Sequence, residues 1–497
     1  MKDNNVFKTV LVVPPDRVIS PRPPLSLMYI AAYLEQEGED VDIIDLKLPK
    51  RENNTIKLIV DEIKKRNPKI IGTSAFSTDL KDVLELSTLI KNEMKDITII
   101  IGGIHASLYP KDFIFKKSPI DIAVIGEGEE TFNEIIKAKR FDKDIKDIKG
   151  IVYLKNGKLI ETEKRVLMNM NKMPMPAFNK VDMKFYLKPT LYAVRGVPLS
   201  AFYIFSSRGC PFRCTFCSNS AIYGRNIRYR EYKKVIDEVE MLVKTYKADG
   251  FYIYDDTFTF YRQYVINFCE EMIKRKIKAV WGCQTRVDKV DLKLLKIMKK
   301  AGCIQVDFGV ESGSQKQLDI IQKDTTTEKV LEAFDACKKV GIRQFANFMI
   351  NIPDETEEDI AYLKEFVGKI KPNVVVFNVL SPLPGSPLYD QMENKGDADK
   401  FMKVSFRQGQ DAHDFLYENV NFTKHKRHFK EVLKELYEEF PSAQGFALKL
   451  NRNYFKQVSR ELSFLKDLNY ITKILSSKNK SDYMKFILNP TLKYNPH

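Results

Sequence analysis

The chain has 497 residues, 44% of them hydrophobic and 30% charged, with a formal net charge of +15. That length exceeds one ordinary core, so two large units and an extension are expected, and the absence of any apolar run of about eighteen residues excludes a helical membrane span. The basic surplus is concentrated after Asn421, where no nucleic-acid motif accompanies it, so nucleic acid is not an expected partner.

The amino terminus, Met1-Lys2-Asp3-Asn4-Asn5, leads into a strand-like run and does not read as a signal peptide. With seven cysteines, three of them clustered, a reducing cytoplasm is the expected location.

Residues 1–165 alternate β-branched runs with helical stretches. Strands are predicted at Thr9–Val13, Val41–Asp45, Ile70–Ser74, Thr98–Gly102 and Asp121–Ile125. Each is nearly continuous in Val and Ile, as in a buried parallel strand. Helices are predicted at Leu25–Glu37, Thr55–Asn67, Asp79–Lys95 and Pro110–Lys117. This βα repetition predicts a doubly wound α/β domain, with ligands beyond the carboxyl ends of the strands. Those ends carry Pro14-Pro15 and Pro21-Arg22-Pro23-Pro24, then Gly102-Gly103-Ile104-His105, then Gly126-Glu127-Gly128-Glu129-Glu130-Thr131. Paired glycines allow close backbone approach to a bulky ligand, although βα loops use glycine for turns as well. Gly150–Glu163 reads as a hairpin turning at Asn156-Gly157. Residues 166–195 read as a linker.

Residues 196–390 contain a second βα series. Strands are predicted at Ala201–Phe205, Gly250–Tyr254, Ala279–Cys283, Gln305–Val310, Gln344–Ile350 and Asn373–Leu380. Helices at Tyr232–Tyr246, Tyr261–Arg275, Asp291–Ala301, Thr327–Val340 and Thr356–Ile370 separate them. Six βα units are too few to close an eight-stranded barrel, so a partial (β/α)6 barrel is expected, its functional residues at the strand carboxyl ends.

The first of these strands feeds Ser207-Arg208-Gly209-Cys210-Pro211-Phe212-Arg213-Cys214-Thr215-Phe216-Cys217. The spacing gathers three thiols on one tight loop. A structural zinc site takes four ligands, usually from two separated pairs, and no second pair with this spacing exists. Three closely grouped thiolates suit a cubane iron–sulfur cluster with one open iron.

At these residues the chain resembles the radical SAM superfamily, whose Cys-x-x-x-Cys-x-x-Cys loop this is; Phe216 matches the aromatic that precedes the last cysteine. The resemblance implies a [4Fe-4S] cluster on Cys210, Cys214 and Cys217, with S-adenosylmethionine on the open iron. It places Asp255-Asp256-Thr257-Phe258 near the amino group of that cosubstrate, a role that competes with capping of the next helix. Gly309-Val310-Glu311-Ser312 resembles the family's Gly-x-Glu-Ser, whose glutamate meets the ribose hydroxyls. Arg286 would pair with the cosubstrate carboxylate, with a substrate anion, or in a structural salt bridge. Asn351-Ile352-Pro353-Asp354-Glu355-Thr356 departs from the family's Gly-x-Pro-Gly-Glu-Thr at two glycines, at residue types that tolerate unusual backbone angles.

The first unit resembles the cobalamin-binding domain that precedes many radical SAM domains. By that likeness Ser74, Gly102, Gly103, His105, Gly126, Glu127 and Gly128 would line cobalamin. The Asp-x-His-x-x-Gly that supplies a lower cobalt ligand elsewhere is absent, so cobalamin without a protein histidine on cobalt is expected, His105 acting as a loop hydrogen-bond donor. Cys269, Cys283, Cys303 and Cys337 are scattered one to an element and read as core residues, leaving a single cluster. Trp281 and Cys283 are candidate substrate-pocket residues.

Residues 391–497 are expected to form a helical extension, with helices at Phe429–Phe440, Leu448–Leu468 and Tyr483–Leu488, closing over the substrate as in related enzymes. His413, His425 and His428 read as surface residues. The basic, aromatic-rich tail also suits peripheral contact with lipid head groups.

The resemblance thus implies a cobalamin-dependent radical SAM enzyme. It would cleave S-adenosylmethionine to a 5′-deoxyadenosyl radical and methylate an unactivated carbon through methylcobalamin, drawing electrons from a flavodoxin or ferredoxin. A radical cyclase without methyl transfer and a cobalamin-binding sensor with a structural cluster are the alternatives. The substrate is some organic molecule, a lipid, peptide or natural-product intermediate.

Overall fold

The computed structural model describes residues 7–15, 22–46, 55–394, 421–425, 427–441 and 462–483. They fall into two compact units, one drawn mainly from Met1–Met183 and one mainly from Lys184–Leu388 with the tail.

In the first unit β1 (Thr9–Val12), β2 (Val41–Ile44), β3 (Ile70–Ser74), β4 (Thr98–Gly102) and β5 (Ile122–Val124) form a parallel sheet in the order 2-1-3-4-5. The hairpin β6 (Ile151–Lys155) and β7 (Lys158–Glu161) extends it antiparallel, with Lys155 opposite Lys158 across the Asn156-Gly157 turn. Helices α1 (Leu25–Gln36), α2 (Thr55–Arg66), α3 (Leu80–Glu93), α4 (Ile104–Leu108) and α5 (Glu129–Arg140) complete the unit. Both faces of the strands are covered, which is why β1 is buried at every residue. In this order the sheet reverses direction between β1 and β3, where an open sheet leaves a crevice.

Two expectations are corrected here. Pro110–Lys117 is not a helix: a single 3-10 turn spans Pro110–Asp112, and the helix after β4 is the five-residue α4. The run after β5 is not only loop, because Gly128 caps α5, whose first turn carries Glu129 and Glu130 at the positive end of the helix.

In the second unit six parallel strands are ordered β8 (Ala201–Ile204), β11 (Gly250–Ile253), β12 (Val280–Thr285), β13 (Cys303–Glu311), β14 (Arg343–Ile350) and β15 (Val374–Val379). Neighbours in this sheet are consecutive barrel strands, as a partial barrel requires. The two-residue strands β9 (Ser207–Arg208) and β10 (Arg228–Tyr229) pair antiparallel beside it. The helices are α6 (Tyr232–Lys244), α7 (Arg262–Lys274), α8 (Leu292–Lys300), α9 (Gln315–Ile320), α10 (Thr327–Val340) and α11 (Glu357–Ile370).

Alternation along the strands separates a helix-facing side from a lumen. Trp281 lies on the helix side, stacked on Phe251, edge-on to Phe258 and Phe268, its Nε1 donating to the Ala301 carbonyl at 2.9 Å. Cys283 is buried on the same side, toward Cys303 and Cys269 of α7. Neither lines a substrate pocket, contrary to expectation. The lumen side holds Tyr252, whose hydroxyl donates to Asp307 at 2.9 Å, with Gln305 and Arg195 around the same carboxylate.

The described parts of the tail do not lie over the strand carboxyl ends as a group. Helix α12 (Phe429–Glu439) covers edge strand β15, with Tyr437 packed edge-on to Phe377 and accepting from its backbone N–H at 3.1 Å. The expected helix at Leu448–Leu468 falls mostly outside the described residues. Its end is a 3-10 stretch, Leu462–Lys466, followed by α13 (Leu468–Ser476). Residues 467–483 dock at the amino-terminal ends of the strands. There Asp249 accepts from Ser477 Oγ at 2.6 Å, Asn479 Nδ2 at 3.1 Å and the Tyr483 hydroxyl at 3.1 Å, while that hydroxyl accepts from the Ser200 N–H at 2.8 Å. Asp249→Ala should leave these buried donors unmet and lower unfolding stability by about 2–3 kcal/mol; denaturant titration at constant iron content measures it.

Candidate functional site

The cysteine loop is placed by a buried carboxylate. Asp255, just past β11, is fully buried and accepts from the Ser206 N–H at 2.7 Å, from Ser206 Oγ and from Ser207 Oγ at 2.7 Å. Burial pushes its pKa up to about 6, against hydrogen bonds that pull the other way. Asp255 is therefore engaged in holding the chain as it enters the loop. Gly209 then turns with φ 97°, a left-handed angle suited to glycine. Farther on, the Thr215 N–H donates to the Ile321 carbonyl and the Leu388 N–H to the Thr215 carbonyl, at 3.0 and 2.9 Å.

Cys210, Cys214 and Cys217 are free and half-buried, close enough that each of the last two feels the charge of its partners. Burial pushes the Cys217 thiol up to about 11, and raises that of Cys214 against the opposing pull of Lys323 and Arg286. Among the described residues no three His, Cys, Asp or Glu side chains close on one point as they would around a single zinc ion. The loop fits a larger group held by three thiolates, with Cys210 Sγ 3.8 Å from Thr257 Oγ1 at one flank.

Three further predicted residues stand around the loop. Asp256, next to the occupied Asp255, reaches the surface as a residue, but its carboxyl is tucked toward Cys217 and the Asn219 side chain, and burial there raises its pKa. Arg286 is buried, its guanidinium 3.6 Å over the Phe212 ring. Its Nε and Nη2 bind Asp288 and the Asp324 carbonyl, and Nη1 has no hydrogen-bond partner among the described residues. Glu311 ends β13 in a left-handed conformation, φ 68°, and pairs with Lys323, a residue the sequence reading missed. A Lys twelve positions downstream of a motif glutamate carries no recognisable spacing signal.

At the end of β14, Asn351 and Asp354 have φ of 65° and 59°, so both do adopt the angles that glycine would. Asn351 also ties the tail down: Oδ1 accepts from the Phe422 N–H at 3.0 Å and Nδ2 donates to the Leu380 carbonyl at 3.3 Å. Beside it His425 is not a surface residue. Its Nδ1 accepts from the Arg427 N–H at 3.2 Å, which leaves Nε2 to donate to Glu355, 3.4 Å away. The two side chains are 2% and 4% exposed. Burial pushes Glu355 up to about 8 and His425 down, so both favour the neutral form. His413 lies outside the described residues; His428 instead caps α12.

In the first unit the predicted residues gather at the ends of β3, β4 and β5. Gly103 has φ 93°, and a Cβ there would meet the Ala75 N and O at 2.8 Å. At Gly102 and Gly126 an added Cβ would meet nothing within 4 Å, an open cradle at adjacent strand ends that fits a bulky ligand. Ser107, unremarked in the sequence, joins the two loops: it donates to the Gly103 carbonyl and accepts from the Gly126 N–H, at 2.8 and 2.9 Å. Ser74 is half-buried at the β3 end, and Gly128 opens α5. Glu127 is buried, accepting from the Met168 N–H at 3.0 Å. His105 lies in α4, not in a loop, and is fully buried, with Nδ1 2.9 Å from Ser77 Oγ and Nε2 3.3 Å from Asp112.

Comparison with known proteins agrees with this layout. Residues 204–367 match the radical SAM superfamily and residues 18–136 the B12 binding domain. An uncharacterized methyltransferase of Pyrococcus horikoshii is 32% identical over 392 residues, 78% of this chain and 83% of that protein. The chain belongs to the radical SAM family with an amino-terminal B12-binding domain. The anaerobic magnesium-protoporphyrin IX monomethyl ester cyclase of Rubrivivax gelatinosus is 31% identical, covering 77% of this chain and 69% of the cyclase. Among solved structures, the cobalamin-dependent S-adenosylmethionine radical enzyme OxsB shares the fold at TM-score 0.73 and 20% identity, over 97% of this chain and 75% of that one. The cofactors of this radical SAM family are a [4Fe-4S] cluster, S-adenosylmethionine and cobalamin. Among the described residues no helix is long and apolar enough to cross a membrane.

Two outcomes follow from the geometry. Asp255→Ala should strip three hydrogen bonds from the loop entrance, costing about 2–4 kcal/mol and lowering iron per chain after reconstitution, whereas Asp256→Ala should leave both unchanged; iron assay and thermal melts compare them. Glu355 binds its proton more tightly folded than unfolded, so stability should fall as pH rises from about 4.5 to about 8. Glu355→Gln should flatten that decline in melting temperature across the same window.

Proposed function

We propose that this radical SAM enzyme transfers a methyl group to an unactivated carbon of an organic substrate, with S-adenosylmethionine as methyl source and cobalamin as carrier. When bound, the cluster supplies the electron that splits the sulfonium, and cobalamin a carrier for the methyl group. On this reading Cys210, Cys214 and Cys217 hold the cluster. Asp256 receives the cosubstrate's ammonium, Glu311 a ribose hydroxyl and Arg286, through its unpartnered Nη1, the carboxylate. Gly102 and Gly126 leave room for the corrin or its nucleotide. Asp255, Glu127 and His105 are assigned no ligand, because their polar atoms are directed at protein groups.

The protein's share is to fix these groups and keep water away from them. The observation that carries the reading is the buried Arg286 beside Cys214 with its Nη1 unmet, a cost that an anionic ligand at the cluster would offset. The choice of methyl transfer is supported by the methyltransferase that is 32% identical. The cyclase at 31% supports a second reading, ring closure without methyl transfer.

Deuteromethyl S-adenosylmethionine, supplied to the reconstituted enzyme with an extract of its host, separates the two. Methyl transfer should yield a product heavier by a labelled methyl, seen by mass spectrometry. Release of 5′-deoxyadenosine with no labelled product would favour ring closure.

A further inference from the structure

The Lys323–Glu311 pair is built more tightly than a charge-balancing contact needs. Lys323 Nζ lies 2.7 Å from Glu311 Oε1, and the side chains are only 8% and 10% exposed. The turn that carries the lysine is held by three hydrogen bonds, one of them from the cysteine loop. The Lys323 N–H donates to the Leu318 carbonyl, Arg286 Nη2 donates to the Asp324 carbonyl, and the Ile321 carbonyl accepts from the Thr215 N–H. Gln322 and Asp324, on either side, both have φ 50°. Two left-handed residues flanking a lysine are strained, and the surrounding contacts must offset that strain.

On the partner side, β13 slips register between Gly309 and Glu311, and Glu311 itself is left-handed. A Cβ at Gly309 would run into Glu311 Oε1 and come within 2.9 Å of Lys323 Nζ. Glycine at 309 is therefore what lets the ion pair lie over the strand backbone. Glu311 Oε2 makes no hydrogen bond to the described residues, and Nζ finds no second acceptor there, although its charge reaches Cys214 and it lies 5.9 Å from the centre of the Phe216 ring. A buried ion pair contributes little stability on its own account. Here one carboxylate oxygen is taken by the lysine while Oε2, on a side chain only 10% exposed, keeps an open side.

We propose that Lys323 is a positioning residue for S-adenosylmethionine: its ammonium fixes the Glu311 carboxylate, across Gly309, so that Oε2 faces a ribose hydroxyl beside the cysteine loop. The proposal rests on the reading of Glu311 given above. Lysine suits the task because one N–H engages Glu311 while the charge stays compact.

The test is S-adenosylmethionine binding to full-length, anaerobically reconstituted protein, read by equilibrium dialysis and by the change in the reduced cluster's electron paramagnetic resonance signal. Lys323→Met should weaken binding about 10- to 100-fold at unchanged iron content, and Lys323→Arg should recover part of the loss. In a Glu311→Gln background Lys323→Met should add little, since the lysine acts through the glutamate. Binding by Lys323→Met within about twofold of the parent would overturn the proposal, as would a full additional loss in the Glu311→Gln background. Should Lys323→Met lose iron, Lys323→Gln and Lys323→Arg carry the same comparison. Failure of the parent itself to bind S-adenosylmethionine would overturn the functional reading and this proposal together; normal parent binding with an indifferent lysine overturns this proposal alone.

Discussion

The second unit depends on one buried carboxylate. Asp255 stands where β11 ends and reaches across to the residues that follow β8, taking three hydrogen bonds from Ser206 and Ser207. Neighbouring parallel strands end side by side, so a short acid on one can grip the chain leaving the other. Cys210, the first cysteine of the loop, comes three residues after that grip. The loop's sulfurs need no regular secondary structure of their own, because the loop is pinned by Asp255 at its start and by Ile321 and Leu388 farther along. The adjacent aspartates differ accordingly: the buried one sets geometry, while Asp256 beside it reaches the surface and meets the Asn219 side chain.

Much of this was legible in the sequence because parallel strands buried on both faces announce themselves as Val and Ile runs. Ile70–Ser74, Thr98–Gly102 and Thr327–Val340 have the bounds that the pattern implies. Pro110–Lys117 misled because proline suits a helix start, yet Pro110 opens only a 3-10 turn and the chain leaves it at Phe113. Helix α5 was hidden by its own glycines, which read as loop although Gly128 is the cap. The side on which Trp281 falls could not be read from an apolar run, where both faces of a strand look alike.

The site was legible as motifs but not as partnerships. The three cysteines, Asp256, Arg286 and Glu311 stand out by type and position at strand ends. Lys323 and Ser107 do not, since their meaning lies in what they touch. His425 looked like one of a surface pair; its burial against Glu355 depends on a tail segment folding back to Asn351, over a separation no local pattern records. The asparagine and aspartate in glycine positions show the reverse case. Residue chemistry alone said that left-handed angles were tolerable at 351 and 354, and both angles are found.

The hydroxyl of Tyr483 meets the backbone of Ser200 across 283 residues of sequence. During synthesis the start of the first barrel strand is therefore exposed long before its cover exists. A nascent chain must carry Asp249 without its later donors until Ser477 and Tyr483 have left the ribosome. The strand start is thus closed by contacts made late in the order of synthesis.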